Sequence, residues 1–139
     1  MSRALQTLAR LQRAQIDDAK HVLSGIVAAR AALAERDAAL VAVMAAEQAA
    51  ARDAAGAAAY GAYAPRVVDE RRRLADEEAQ QERRETVVRA QLADAYVELK
   101  KIELLLAAQA ERERIAENAR ELAAMDEAAA TRVARRSGG

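Results

Sequence analysis

Residues 96–127 read YVELKKIELLLAAQAERERIAENARELAAMDE, and this stretch decides the fold. Leu99, Ile102 and Leu106, then Ile115, Ala119 and Leu122, recur at steps of three and four. That spacing draws one apolar stripe along a helix. The remaining positions carry Lys100, Lys101, Glu103, Arg112, Glu113, Arg114, Glu117, Arg120 and Glu121, and no glycine or proline interrupts them. A helix this polar buries one stripe against a partner surface and leaves a charged face in water. The rest of the chain is read as the source of that surface.

Composition supports this. The chain has 139 residues, room for one domain over 1–139, with no Phe, no Trp and three Tyr. Nothing in it fills the middle of a compact globule, which normally buries several large aromatics. Charged residues make up 32%, in the Ala/Glu/Arg/Leu-rich mixture of long helices and coiled coils. The 22 basic and 22 acidic side chains cancel. No basic excess marks a nucleic-acid binder. Without cysteine there is no disulfide framework and no thiolate metal site. No apolar run approaches the roughly 20 residues of a membrane span, and the start, MSRALQTLARLQRAQ, lacks the apolar core of a secretory signal. These features predict a soluble cytoplasmic protein with no direct membrane insertion.

Working outward, the first half carries a heptad-like track through Leu5, Leu8, Gln12, Ile16, Ala19, Leu23, Ile26, Leu33, Leu40 and Val43 or Met44, with Ser2 as a cap. Arg30 and Asp37 interrupt it, one heptad apart. They are expected to emerge at the seam's edge, as long charged side chains do; the alternative is pairing with charges on a facing helix. From Ala38 the sequence is alanine-dominated, until Gly56, Gly61 and Pro65 form the one breaker cluster. The connection is therefore expected at about 55–65, with Pro65 at the first position of the next helix. The second track runs through Val67, Leu74, Gln81, Val88, Leu92, Ala95, Leu99, Ile102 and Leu106. It then shifts to Ala108, Ile115, Ala119, Leu122, Ala129 and Val133.

The resulting fold class is all-α: a long antiparallel two-helix coiled-coil hairpin. Helix 1 spans about 3–54 and helix 2 about 66–135, with a frayed tail at 136–139. At about 1.5 Å per residue the second helix outruns the first by roughly 30 Å, which leaves residues from about Glu117 onward without an intramolecular partner. Arg3, Arg10, Arg13, Arg132, Arg135 and Arg136 gather at the open end.

Sites for chemistry are scarce. His21 is the single histidine, with Asp18 three residues before it. A bundle metal site needs two such carboxylate–histidine pairs, so His21 is read as a surface or seam residue and no metal is expected. GAAAYGAYAP lacks the lysine and the preceding strand of a phosphate loop. Tyr60 and Tyr63 are expected to pack the hairpin tip. No catalytic residue and no cofactor follow from this inventory, and no enzyme is expected. Lys100, Lys101, Arg112, Arg114 and Arg120, interleaved with Glu, read as a solvated face on composition alone.

Three segments carry a resemblance. Glu98–Leu105 reads ELKKIELL, Glu113–Arg120 reads ERIAENAR, and Asp126–Glu127 supplies an acidic pair. Together with AYGAYAP they resemble the FliJ family of flagellar type III export stalk proteins, in its α-proteobacterial branch. The resemblance implies an antiparallel coiled coil similar to the central stalk of rotary ATPases. It implies three partners: the export ATPase ring, the cytoplasmic domain of the export gate, and export chaperones. The site would be cytoplasmic, peripheral to the inner membrane. By carry-over, the partner-binding candidates are Leu99, Lys100, Lys101, Glu103, Arg112, Arg114, Asn118 and Arg120. The alternatives are the stalk protein of a virulence-type secretion system and a homodimeric coiled-coil scaffold. A membrane-coating amphipathic helix ranks last, because the apolar face is narrow and poor in aromatics.

Overall fold

The computed structural model describes residues 3–138 and contains two helices, α1 (Arg3–Ala50) and α2 (Ala54–Gly138). No strand occurs among the described residues. The fold is the all-α helical hairpin that the two apolar tracks require. The proposed Ser2 cap lies outside the described residues. The helices pack in two units: a hairpin unit of residues 15–95, and a terminal unit that pairs residues 3–14 with 96–138.

The connection in the hairpin unit is shorter and earlier than the sequence suggested. Helix 1 ends at Ala50 rather than 54, helix 2 starts at Ala54 rather than 66, and only residues 51–53 lie between them. The cause is local. Asp53 is an N-cap: its Oδ1 accepts the Gly56 N–H at 2.6 Å, and its carbonyl accepts the first helical bond, from Ala57 N–H, at 2.9 Å. At the other end, Arg52 Nε donates to the Ala49 carbonyl at 3.2 Å and closes the last turn of α1.

The breakers are absorbed by alanine on both sides, the strongest helix former. No described glycine has positive φ. Gly56 has a use of another kind, since a Cβ there would sit 2.9 Å from Asp53 Oδ1 and crowd the cap. Pro65 falls inside α2, not at its first position. Its missing N–H frees the carbonyl of Gly61, an exposed residue that water can satisfy. Residues 136–138, expected to fray, are helical.

Within the hairpin unit, Ile16, Ile26, Leu33, Val67 and Leu74 are buried. Half-buried Ala19, Leu23, Arg30, Asp37, Leu40 and Met44 complete the α1 stripe, in alternating steps of three and four. Val43, offered as an alternative to Met44, is exposed. The α2 stripe follows its expected track through Gln81, Val88, Leu92 and Ala95. It takes two successive steps of four, from Glu70 to Leu74 to Glu78. Such a stutter locally unwinds a coiled coil. Tyr60 and Tyr63 are half-buried in the first turns of α2.

Arg30 and Asp37 do not lie idle at the seam's edge. Each is paired across the helices. Arg30 Nε and Nη2 reach Glu78 Oε1 at 2.8 and 2.6 Å, and Nη1 reaches Glu85 Oε2 at 2.9 Å. Asp37 accepts from Arg71 Nε at 2.8 Å and Nη2 at 3.3 Å, and Arg36 bonds to Glu70 at 3.1 Å. The hydrogen bond to Glu78 raises the Arg30 pKa against the opposing effect of desolvation, with further help from the charges of Glu78, Glu85 and Glu82. The Arg71 hydrogen bond holds the Asp37 carboxyl below its ordinary pKa. The segment 69–85, whose one large apolar side chain is the buried Leu74, is therefore joined to α1 largely by charge.

Candidate partner-binding face

All eight candidate residues lie on α2 in the terminal unit. On the α1 side this unit has one buried residue, Ala9, at 1% exposure; Leu8, expected on the seam, is 50% exposed. The seam passes through Leu5, Ala9 and Gln12, so the stripe selects the smaller neighbour. On α2 it passes through Leu99, Ile102, Leu106 and Gln109, all half-buried.

Every residue from 110 to 138 is exposed. The segment emerges seven residues earlier than the Glu117 expected from helix lengths, because the connection ends at residue 53 rather than 65 and α1 therefore faces earlier residues of α2. At about 1.5 Å per residue it is roughly 43 Å of helix with no packed face. Its apolar residues Ile115, Leu122, Met125 and Val133 are 55–65% exposed. The shifted stripe of the sequence is thus real as a pattern, but nothing in this unit covers it.

The candidates divide accordingly. Leu99 is a seam residue, half-buried beneath the face rather than on it. Glu103 flanks the seam, where Arg13 Nη2 approaches its Oε1 at 3.5 Å. Lys100 and Lys101 are exposed on the paired part of α2, with Lys101 held by Glu98 at 3.0 Å. Arg112, Arg114, Asn118 and Arg120 are exposed on residues 110–138. Arg114 bonds to Glu111 at 2.6 and 3.0 Å, and Arg120 to Glu117 at 2.7 Å. The Arg114 bond lowers the Glu111 pKa, and the same bond raises that of Arg114.

Each of these pairs sets an acid three residues before its base, the order that supports a lone helix. Arg135 and Arg136 occupy the last turn, where cations complement the helix dipole. The face therefore consists of short intrahelical ion pairs that hold the helix and display both signs of charge. Its basic members do not form a single uninterrupted patch.

His21 is exposed in the hairpin unit. Among the described residues no group of three or more His, Cys, Asp or Glu is placed to hold a metal ion. No helix among them is long and apolar enough to cross a membrane.

Sequence reasoning held cross-helix pairing of Arg30 and Asp37 only as the alternative, and missed Asp53, Arg71, Glu78 and Glu85 as organising residues. The signal for most of them was present: 30 and 37 on one helix, and 71, 78 and 85 on the other, are heptad-spaced with complementary charges.

No curated protein and no solved structure matches the chain. A family model does, over residues 1–138, and its description is "Flagellar FliJ protein". That match runs through the hairpin unit, the terminal unit and the exposed helix, so the chain belongs to the flagellar FliJ family of export-related stalk proteins.

Proposed function

We propose that this chain is a non-enzymatic stalk that couples the export ATPase ring of a flagellar type III apparatus to the export gate. In this reading it also escorts export chaperones. One observation carries the proposal: residues 110–138 form a continuous helix, exposed throughout and studded with both signs of charge. A segment of this kind suits insertion among several subunits at once, because it offers a polar surface on every side. Ring subunits would supply the nucleotide chemistry, so the stalk needs none of its own. The working location is cytoplasmic, peripheral to the inner membrane, with the ring, the cytoplasmic domain of the gate and the chaperones as partners.

The candidate contacts are weighted by exposure. Arg112, Arg114, Asn118 and Arg120 meet the ring directly, and Lys100 and Lys101 flank them. Leu99 and Glu103 act indirectly, by keeping α2 against α1.

The test is the ATPase rate of the cognate export ATPase with and without the chain, and with a variant carrying Lys100→Ala, Lys101→Ala, Arg112→Ala and Arg114→Ala. Stimulation by the parent that the variant loses supports the stalk. No effect of the parent on hydrolysis or ring assembly overturns it. A second reading, a homodimeric scaffold, draws on the uncovered Ile115, Leu122, Met125 and Val133. A monomeric mass in solution at working concentration excludes it.

A further inference from the structure

The apolar seam of the hairpin unit does not by itself fix how far along α2 each residue of α1 lies. Moving a heptad seam by seven residues brings like positions back to like positions. Such a slip toward higher α2 numbers sets Leu40 level with Leu74 in place of Val67 and Ile26 level with Val88 in place of Gln81, against Leu33 exchanging Leu74 for Gln81, so apolar contacts are traded rather than lost.

The connection does not fix the register either. Between Met44 and Tyr60 there is no large apolar side chain. The turn is held chiefly by the Asp53 cap on Gly56 and the Arg52 bond to Ala49. A slip of seven requires the turn to migrate three or four residues, onto Ala54–Gly56, where glycine and alanine offer little resistance.

The charged rungs separate the two arrangements. Arg30 already bonds to both Glu78 and Glu85, which are one heptad apart, so after the slip it retains Glu85. Arg36 leaves Glu70 and comes level with Glu77, again a carboxylate. Asp37 leaves Arg71 and comes level with Glu78, a carboxylate against a carboxylate. A slip of seven in the opposite direction sets Arg30 between Arg71 and Glu78 and leaves Asp37 level with Ala64, so a repulsion replaces one bond of Arg30 and Asp37 loses its cation. The slip toward higher α2 numbers is therefore the closer competitor, and among its charged rungs only Asp37 meets a like charge.

We infer that the Asp37–Arg71 pair is the register lock of the hairpin unit, and that Arg30, bridging Glu78 and Glu85, tolerates both registers. A polar residue at one seam position is a known way for a coiled coil to fix its alignment. Here the attractive and the repulsive parts fall on the same side chain: Asp37 gains Arg71 in one register and meets Glu78 in the other. The lock matters for a chain that transmits position along its length, because a heptad of slip moves one helix about 10 Å along the other.

The chain has no cysteine, so introduced labels report without background. Nitroxides on Ala34→Cys and Asp94→Cys, both exposed sites of the hairpin unit, give an interhelical distance by double electron–electron resonance. Asp37→Arg places a cation opposite Arg71 in the native register and opposite Glu78 in the slipped one. It is expected to shorten the label distance by about 10 Å, the axial rise of seven residues. Asp37→Arg combined with Arg71→Glu restores attraction at this rung in the native register, where Arg30 also keeps both Glu78 and Glu85, and should return the parent distance. An unchanged distance in helical Asp37→Arg overturns the lock, as does failure of the double variant to return it. If Asp37→Arg alone loses its helicity, the double variant decides: the parent distance supports the lock, and any other distance overturns it.

Discussion

The hairpin unit and the terminal unit contain the same two helices, yet they are held by different means. The hairpin unit buries Ile16, Ile26, Leu33, Val67 and Leu74 and adds close cross-helix ion pairs at Arg30, Arg36 and Asp37. The terminal unit buries Ala9, has a looser Arg13–Glu103 pair at 3.5 Å, and beyond residue 109 relies on pairs within one helix. The difference teaches that an apolar repeat has two meanings. Where a second helix of matching length exists, the repeat is a seam. Where the second helix ends, the same spacing becomes an uncovered stripe, and the helix persists through its local charge pairs.

The sharpest way to break this comparison is to remove one large apolar residue from each region. Leu74→Ala in the hairpin unit is expected to cost about 2–3 kcal/mol, from lost burial and the cavity left behind. Leu122→Ala in the terminal unit is expected to fall within about 0.5 kcal/mol of the parent, as surface changes usually do. Thermal and urea unfolding followed by circular dichroism measures both. Equal losses would mean that residues 110–138 pack against something in the free chain.

A smaller effect comes from acid. The Arg71 bond depresses the Asp37 pKa from its ordinary 3.8. The contribution of this pair is therefore fully present above that value and is lost as the pH falls through the lower, folded-state pKa. Arg71 bonds to Asp37 directly, and Arg30 and Glu78 line the same groove. Asp37→Asn should be less stable than the parent at neutral pH, and the gap should close in strong acid. Glu111, also depressed, by Arg114, offers the control in the terminal unit. Glu111→Gln should leave the unfolding midpoint unchanged across the same titration, because its partner sits on the same turn of the same helix.

Much of this architecture was legible from the sequence. Every residue of the α2 track from Val67 to Leu106 lies on the packed stripe, because steps of three and four on a breaker-free helix admit one geometry, but Glu70, Glu78 and Glu85 share that stripe and were not expected on it. The α1 track fails at Leu8. The seam there takes Ala9, and a one-residue choice between adjacent apolar side chains depends on the facing helix. The connection was misplaced because Gly56, Gly61 and Pro65 were weighed as breakers, while Asp53, a capping residue after a run of alanine, outweighed them. Arg30 and Asp37 stand one heptad apart, but their pairing across the helices ranks only as the alternative until the matching heptad of Arg71, Glu78 and Glu85 is set beside them.

For the candidate face, sequence reasoning found the exposed cations at 100, 101, 112, 114 and 120. It placed Leu99 on the apolar stripe, where the structure has it half-buried, and named it a contact only through the family resemblance; it did not separate the seam-flanking Glu103 from the exposed face.

The central claim is that residues 110–138 are a helix kept free for a partner, while the hairpin unit carries the stability. Hydrogen–deuterium exchange along α2, with and without the cognate export ATPase, tests it most directly. Amide protection follows local packing, so in the free chain 110–138 should exchange far faster than 67–92. Adding the ATPase should slow exchange in 110–138 and leave 67–92 as it was. Equal protection of both segments in the free chain, or an ATPase footprint on 67–92 that spares 110–138, would contradict the account.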